Sequence, residues 1–290
     1  MVDGYEHTDD LRRFVATCFY VNEEAVPTLY HYTSVLAYKC IVESRCFWAS
    51  DVRFLNDDNE IRYGYAKVKG AISSKIDDSL VSDVAVEALL ALENNLFDDF
   101  GVCSVSFCTD GDLLSQWRGY GNEQGVSIGV NSEKIRKIEG FDIYRVIYEE
   151  RRQDRIISDS IELYCRRYAQ LKASGWQGDD LKHFGLQASY VFDRMIAAFK
   201  APSFQEEGEV RAFARKYAHT LRRGVKFREK NGIIIPYYEM KIDDLNSGII
   251  SDVIIGPGRN LSVVKSGVEI FSKANKVNCD VYLSSIALRT

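Results

Sequence analysis

No stretch of this 290-residue sequence is apolar over the roughly 20 residues that a membrane-spanning helix requires. The sequence also has no internal repeat, no low-complexity tract and only four prolines, so no proline-rich linker divides it. Its first ten residues, MVDGYEHTDD, are acidic and polar, and we do not expect them to act as a secretory signal. These features predict a cytoplasmic protein without a membrane partner.

Cysteine spacing and charge exclude two further classes of protein. The seven cysteines include no CxxC pair, and Cys103 and Cys108 lack the additional His or Cys residues that a zinc site needs. We therefore predict reduced thiols and no metal site built on cysteine. The net charge of −5 excludes the overall basic surface of a non-specific nucleic-acid binder, although it leaves room for a local basic patch.

The hydrophobic pattern predicts an α+β fold, because predicted strands and helices alternate without a regular βαβ order. We predict strands at 28–32 and 46–50, a helix at 34–43 capped by Thr33 or Ser34, and a long helix at about 77–97. A helical insertion is expected at about 149–200. Asn231-Gly232 lies between two apolar runs and predicts a hairpin. Residues 1–26 are interpreted as an arm or helix, and 27–290 as a single domain.

The most informative short segment is Tyr30-His31-Tyr32, which reads as a strand that leads into a helix. Only four histidines occur in the sequence, and this one stands between two tyrosines. Tyrosine can stack on a flat heterocycle, and histidine can bond a ribose or a phosphate. The segment therefore suits a nucleotide-like ligand, but it equally suits a strand whose imidazole is satisfied within the core.

A second candidate is the acidic stretch that ends at Arg211. In a strand, residues two positions apart share a face, so Glu207, Glu209 and Arg211 would point together if the strand begins early. A carboxylate beside an arginine is either a structural ion pair or a catalytic carboxylate held by the guanidinium. The pattern alone does not separate these two interpretations.

Asn and Asp side chains crowd the segment 55–60, LNDDNE. Such oxygens suit a hard cation such as Mg²⁺, and a metal-dependent nuclease using Asp57, Asp58 and Glu60 is one alternative function. The spacing does not match a calcium-binding EF-hand loop. Since Asp and Asn also form turns and helix caps, we favour a cap over a metal site.

Trp117, Arg118 and Tyr120 lie between glycines in a further candidate segment. Glycine permits close backbone approach, and an aromatic ring beside an arginine can clamp a base or a phosphate. The alternative is a structural corner in which Trp117 fills the core. The sequence contains neither a GxxxxGKS phosphate loop nor a GxSxG nucleophile turn.

Taken together, several blocks resemble a widespread bacterial family of unknown function. The blocks are LYHYTS, FWAS, LNDDNE, SFCTDGDLLSQWRGYG, GVSIGV, FQEEGEVR and SSIALR, which span about 29–289. The order of elements is also similar to the ADP-ribosyltransferase superfamily, notably its His–Tyr–Glu branch. That resemblance implies a mostly antiparallel split sheet and NAD as the substrate.

The resemblance also implies roles for individual residues. His31 would bind the nicotinamide-side ribose, and Glu209 would be the catalytic carboxylate, with Glu207 as the alternative. The stacking aromatic residue would be Tyr30, Tyr32 or Trp48. The whole implied cofactor-binding set is Tyr30, Tyr32, Thr33, Trp48, Ser50, Trp117 and Arg118. The Ser-x-Ser or Tyr that the superfamily carries on a middle strand is replaced by Ala49-Ser50-Asp51.

Such an enzyme would need no metal, because one carboxylate can stabilise the positive charge that develops on the ribose. By resemblance, the acceptor would be RNA, DNA or a protein, and the chain would be the toxin of a toxin–antitoxin or anti-phage system with an antitoxin partner. A nucleotide-binding sensor without turnover and a purely structural interaction protein remain alternatives. The catalytic assignment requires His31 and Glu209 to line one cavity.

Overall fold

The computed structural model describes residues 7–22, 24–54, 58–96, 102–120, 124–214, 224–230 and 232–286. The described α-helices are α1 Asp9–Cys18, α2 Val35–Ser44, α3 Asp58–Ile76, α4 Asp83–Glu93, α5 Leu114–Tyr120, α6 Ser132–Arg136, α7 Glu150–Ala173, α8 Asp179–Ile196 and α9 Leu261–Ala274. The described strands are β1 Thr28–Ser34, β2 Cys46–Asp51, β3 Cys103–Cys108, β4 Gly125–Asn131, β5 Phe141–Arg145, β6 Glu209–Ala214, β7 Lys226–Lys230, β8 Ile233–Lys241, β9 Ile250–Ile255 and β10 Asp280–Leu283.

The α+β class and the helical insertion predicted from the sequence are confirmed, and the insertion consists of α7 and α8. The helix predicted over 77–97 is wrong in length. The Ser82 hydroxyl accepts a hydrogen bond from the Ala85 amide and starts α4 at Asp83, so a turn separates α4 from α3. The segment before residue 27 contains α1, whose Leu11 and Val15 are buried against the helical layer.

Two local signals act as the sequence predicts. Ser34 ends β1 and caps α2, since its hydroxyl accepts a hydrogen bond from the Ala37 amide at 3.1 Å. At the predicted hairpin, β7 and β8 are antiparallel neighbours, and Lys230 pairs with Ile233. Gly232 has a φ of +79°, which glycine adopts without the steric cost that a Cβ imposes.

The ten strands form one sheet that is antiparallel except where β9 and β10 pair in parallel. One edge of β3 pairs with β6 from Ser104 to Cys108. Its other edge is shared, because Tyr30 of β1 pairs with Cys108 while Ser50 of β2 pairs with Ser104. The strands β1 and β2 therefore diverge from a common neighbour, and the sheet is split between them.

Strand register assigns each side chain to one of two faces. Tyr30 pairs with Cys108, and Cys108 pairs with Glu209, so these three residues share what we call the polar face. The opposite, apolar face carries Leu29, Phe107, Ile128 and Val210, along with the other strand residues of one buried cluster. Helices α2, α6 and α9 cover the apolar face through Tyr38, Ile135 and Val268.

The polar face is covered in two separate places. Helices α1, α3, α4, α7 and α8 form a layer that packs on Tyr144 and Phe213 at the β5–β6 side. Helix α5 packs Trp117 against Tyr32 at the β1–β4 side. The split between β1 and β2 lies between these covers. Within the described residues, no helix is both long and apolar enough to cross a membrane.

Candidate functional site

Glu209 lies on the polar face as the first residue of β6, next to the split. Arg211 donates to both carboxylate oxygens, from Nε to Oε1 and from Nη2 to Oε2, each at 2.7 Å. The Lys200 Nζ lies 3.4 Å from Oε2 of Glu209 and 2.5 Å from the Glu207 carboxylate. Glu209 and Arg211 thus point together as predicted, and the pair is buried. Glu207 was predicted to join them if the strand began early, but it ends a 3₁₀ turn, and β6 begins only at Glu209.

The charges around Glu209 determine its protonation state. Burial opposes ionisation of Glu209, but the Arg211 charge and hydrogen bonds, Lys200 and the Ser106 side chain together lower its pKa from 4.5 to about 2. Glu209 is therefore a carboxylate at neutral pH. It can accept hydrogen bonds and stabilise a positive charge, but it has no proton to donate.

The neighbouring strand β3 supplies two serines to the same face. Ser106 pairs in register with Arg211, and Ser104 pairs with Phe213 on one side and with Ser50 on the other. Ser104-Val105-Ser106 is therefore a Ser-x-Ser beside the carboxylate. Sequence reasoning compared that pattern with Ala49-Ser50-Asp51 and missed this occurrence. The sequence signal for it is the pair of serines at alternate positions of a predicted strand.

His31 lies on the apolar face, not beside Glu209. Its ring centroid is 5.3 Å from that of Phe47 and 5.8 Å from that of Phe107. Nδ1 lies 2.9 Å from the Ser106 carbonyl oxygen, which can only accept, so Nδ1 carries the hydrogen. Burial lowers the pKa of His31, and the Ser106 bond partly offsets that effect.

His31 therefore fills the point at which β1 and β3 separate, with the sheet between its ring and the carboxylate of Glu209. Strand register thus places the two residues on opposite faces of the sheet, whereas the predicted catalytic pair requires them to line one cavity. The half-buried His31 ring, packed on Phe47 and Phe107 and bonded to Ser106, agrees with the alternative of a satisfied imidazole. Thr33, two residues further, lies on the same apolar face opposite Val126.

The two tyrosines of β1 form a corner with the following loop. The Tyr32 hydroxyl donates to the Asp110 carbonyl at 2.9 Å and accepts from the Leu113 amide at 2.8 Å. Tyr30 is half-buried against Gly111, where an added Cβ would lie 2.5 Å from the ring. Tyr32 is thus occupied by structure, while Tyr30 keeps a partly accessible ring on the polar face.

Trp117 occupies the structural corner that was the alternative to a ligand clamp. The indole is buried, and its Nε1 donates to Asp112 at 2.7 Å. The same carboxylate accepts from the Ser285 amide and hydroxyl, which ties the chain after β10 to this corner. Arg118 is exposed on α5. The structure therefore does not join Trp117 and Arg118 into one clamp.

Trp48 and Ser50 of β2 do come together, and they share a partner that the sequence analysis missed. The Arg228 guanidinium lies 5.6 Å from the centroid of the Trp48 ring, and its Nη2 donates to Ser50 Oγ at 2.9 Å. Tyr237 lies alongside, with its ring centroid 4.9 Å from that of Trp48. Trp48 remains 39% exposed, which is unusual for an indole and leaves its ring available to a ligand.

The acidic turn proposed for a metal-dependent nuclease lies largely outside the described residues. Asp57 and the side chains of Asp58 and Glu60 lie outside the described residues. In the part of the chain that the structure does describe, no group of three His, Cys, Asp or Glu side chains is arranged to hold a metal ion. That alternative stays a prediction.

Residues 116–212 match a family described as "Protein of unknown function (DUF2971)". The match runs from α5 to β6, so it includes Trp117, Glu209 and Arg211 but neither β1 nor β2. It agrees with the expected resemblance to a family of unknown function, and the description assigns no activity. No curated protein and no solved structure matches the chain.

Proposed function

We propose that this chain is an NAD-dependent ADP-ribosyltransferase whose reacting centre lies on the polar face, at the split between β1 and β2. The supporting observation is the ionised Glu209, held by Arg211 on the face that also presents Ser106, Ser50 and the exposed ring of Trp48. A fixed carboxylate beside a split sheet with an aromatic wall suits a cationic, ring-bearing substrate such as NAD.

The chemistry follows from the charge of Glu209. When the bond between nicotinamide and ribose breaks, nicotinamide leaves with the bonding electrons, and positive charge develops at the ribose C1′. Glu209 stabilises that charge without a proton transfer of its own. An acceptor nucleophile then bonds to C1′ and loses its proton. The proposal gives His31 no contact with NAD.

The acceptor and the biological setting are supported by the resemblance, not by the geometry. We propose a macromolecular acceptor, RNA, DNA or protein, and a role as the toxin of a toxin–antitoxin or anti-phage system. Glu207 is the alternative catalytic carboxylate, since it contacts Lys200 and is more exposed than Glu209.

One observation favours a second candidate function, a nucleotide-binding module without turnover. Arg211 occupies both oxygens of Glu209, and the carboxylate is only 7% exposed, as expected of a structural ion pair. Such a module would bind a nucleotide near Trp48 and release no nicotinamide.

The test is incubation of the full chain with NAD labelled in its adenylate phosphate and with separate pools of protein, RNA and DNA. We expect the wild type to release nicotinamide and to label one pool, and Glu209→Gln to lower the rate by roughly 100-fold or more. The exposed neighbour Glu206 provides the matched control, and Glu206→Gln should keep the rate.

Circular dichroism and NAD binding measured on the same samples separate lost chemistry from lost folding. Full activity of folded Glu209→Gln would reject Glu209 as the catalytic carboxylate. If only Glu207→Gln loses nicotinamide release, Glu207 is the catalytic carboxylate. NAD binding without nicotinamide release in any pool would reject the transferase and favour the binding module.

A further inference from the structure

Arg228 is a half-buried cation without an acidic partner among the described residues. It lies on the polar face of β7, and Nη2 donates to the Ser50 hydroxyl. Its Nε is buried and has no hydrogen-bond partner. Burial lowers the pKa of Arg228, because no described carboxylate compensates for the lost hydration. Arginine side chains at such depth are usually paired.

Ser104 adds a second unsatisfied polar group beside the first. It pairs in register with Ser50, and cross-strand partners on one face have Cβ atoms about 5 Å apart. Ser104 is 2% exposed, and its Oγ is buried with no hydrogen-bond partner. Two buried donors, Arg228 Nε on β7 and Ser104 Oγ on β3, thus lack a partner, and Ser50 on the intervening strand β2 contacts the Arg228 guanidinium and pairs with Ser104.

The ring of Trp48 forms a wall of the same site. Its centroid lies 5.6 Å from the Arg228 guanidinium, which fixes the guanidinium by a cation–π contact. Tyr237 packs at 4.9 Å and restricts the indole. The site therefore offers a positioned guanidinium, two hydroxyls and a partly exposed aromatic surface.

We infer that Arg228, Ser50 and Ser104 form a binding site for a phosphate group, with Trp48 beside it to contact the rest of the ligand. A guanidinium edge and hydroxyl donors from two strands match the several oxygens of a tetrahedral phosphate better than the two oxygens of a carboxylate. Binding would supply the acceptors that Arg228 Nε and Ser104 Oγ lack. This anion site does not require Glu209 to be catalytic.

The experiment is a titration of the full chain with pyrophosphate, ADP and acetate at constant ionic strength, followed by tryptophan fluorescence and by the thermal midpoint. We expect saturable changes with pyrophosphate and ADP but not with acetate. Tighter binding of ADP than of pyrophosphate would assign the phosphate to a nucleotide, whereas equal binding would indicate a free phosphate ligand.

Variants then locate the site. Arg228→Gln should weaken pyrophosphate binding roughly tenfold or more, since hydrogen bonds to charged groups are the strong ones. Lys226→Gln is the matched control, because Lys226 lies on the same strand and face but is paired with Glu239. It removes one positive charge and should leave the affinity nearly unchanged.

Ser104→Ala separates a ligand role from a structural one. Removing a buried hydroxyl that lacks a partner should leave the thermal midpoint unchanged or raise it, while pyrophosphate affinity falls several-fold. Absence of saturable pyrophosphate and ADP binding, or wild-type affinity in Arg228→Gln, would overturn the anion site. Acetate binding as tight as pyrophosphate binding would overturn its assignment to phosphate. The titration contains no NAD and therefore tests the anion site separately from the transferase. If the transferase assay fails while pyrophosphate still binds, only the proposed transferase activity is rejected.

Discussion

Arg211 and Arg228 lie on the same face of one sheet, in opposite electrostatic surroundings. Arg211 is 1% exposed, forms two hydrogen bonds with Glu209, and donates through Nη1 to the Ala197 carbonyl. Arg228 is half-buried, contacts one hydroxyl and one aromatic ring, and faces no carboxylate among the described residues. One guanidinium is saturated by the protein, and the other keeps a buried donor open.

The difference separates two uses of a buried charge. The Arg211 pair joins β6 to the end of α8 and fixes Glu209 as an anion, so removing either partner leaves an uncompensated charge. Arg228 contributes little that the fold itself needs, since its burial is not repaid by an ion pair. A group that is costly to bury and incompletely bonded is a reasonable place to look for a ligand.

The largest expected effect tests the structural half of this comparison. Arg211→Met should lower the free energy of unfolding by about 3–5 kcal/mol, because it leaves Glu209 buried without its main partner. Arg228→Met should change that free energy by less than about 1 kcal/mol. Urea unfolding of both variants measures the contrast, and equal losses would show that the two arginines do not differ as described.

The pH dependence of stability tests whether Glu209 is held as an anion by Arg211. Because the folded pKa is about 2 and the ordinary value is 4.5, the stabilisation by the carboxylate is fully present above pH 4.5. It is lost as the pH falls toward 2. The stability difference between the wild type and Glu209→Gln should therefore shrink over that window by about 3 kcal/mol. A constant difference in urea unfolding would argue against the assigned charge state.

The smallest expected effect is the pH dependence of stability caused by His31 on the apolar face, in contrast to Glu209 on the polar face. Burial lowers the pKa of His31 below 6.5, so its ring stays neutral in the folded state while the unfolded chain takes up a proton. The wild type should therefore lose stability relative to His31→Gln as the pH falls below 6.5. If the unfolding free energies of the two proteins change with pH in parallel, burial does not lower the pKa of His31. If folded His31→Gln no longer releases nicotinamide, His31 takes part in catalysis after all.

Local patterns predicted the elements well where the signal was short-range. The strands predicted at 28–32 and 46–50 and the helix predicted at 34–43 agree within two residues with β1, β2 and α2, and β7 and β8 form the expected hairpin. The helix expected over 77–97 failed because a cap at Ser82 outweighs apolar periodicity. Among the site residues, Glu209 and Arg211 were found together because two positions along a strand always share a face.

The order of elements, the helical insertion and the local pairing of Glu209 with Arg211 follow from the amino-acid sequence, because they depend on neighbours along the chain. The face of the sheet that each distant strand presents depends instead on packing between segments far apart in sequence. A shift of one residue in register exchanges the faces, and here the pairing of β1 with β4 places the half-buried His31 on the apolar face. Tertiary packing also brings Arg228 next to Ser50, 178 positions away, in a contact that no local sequence pattern predicts.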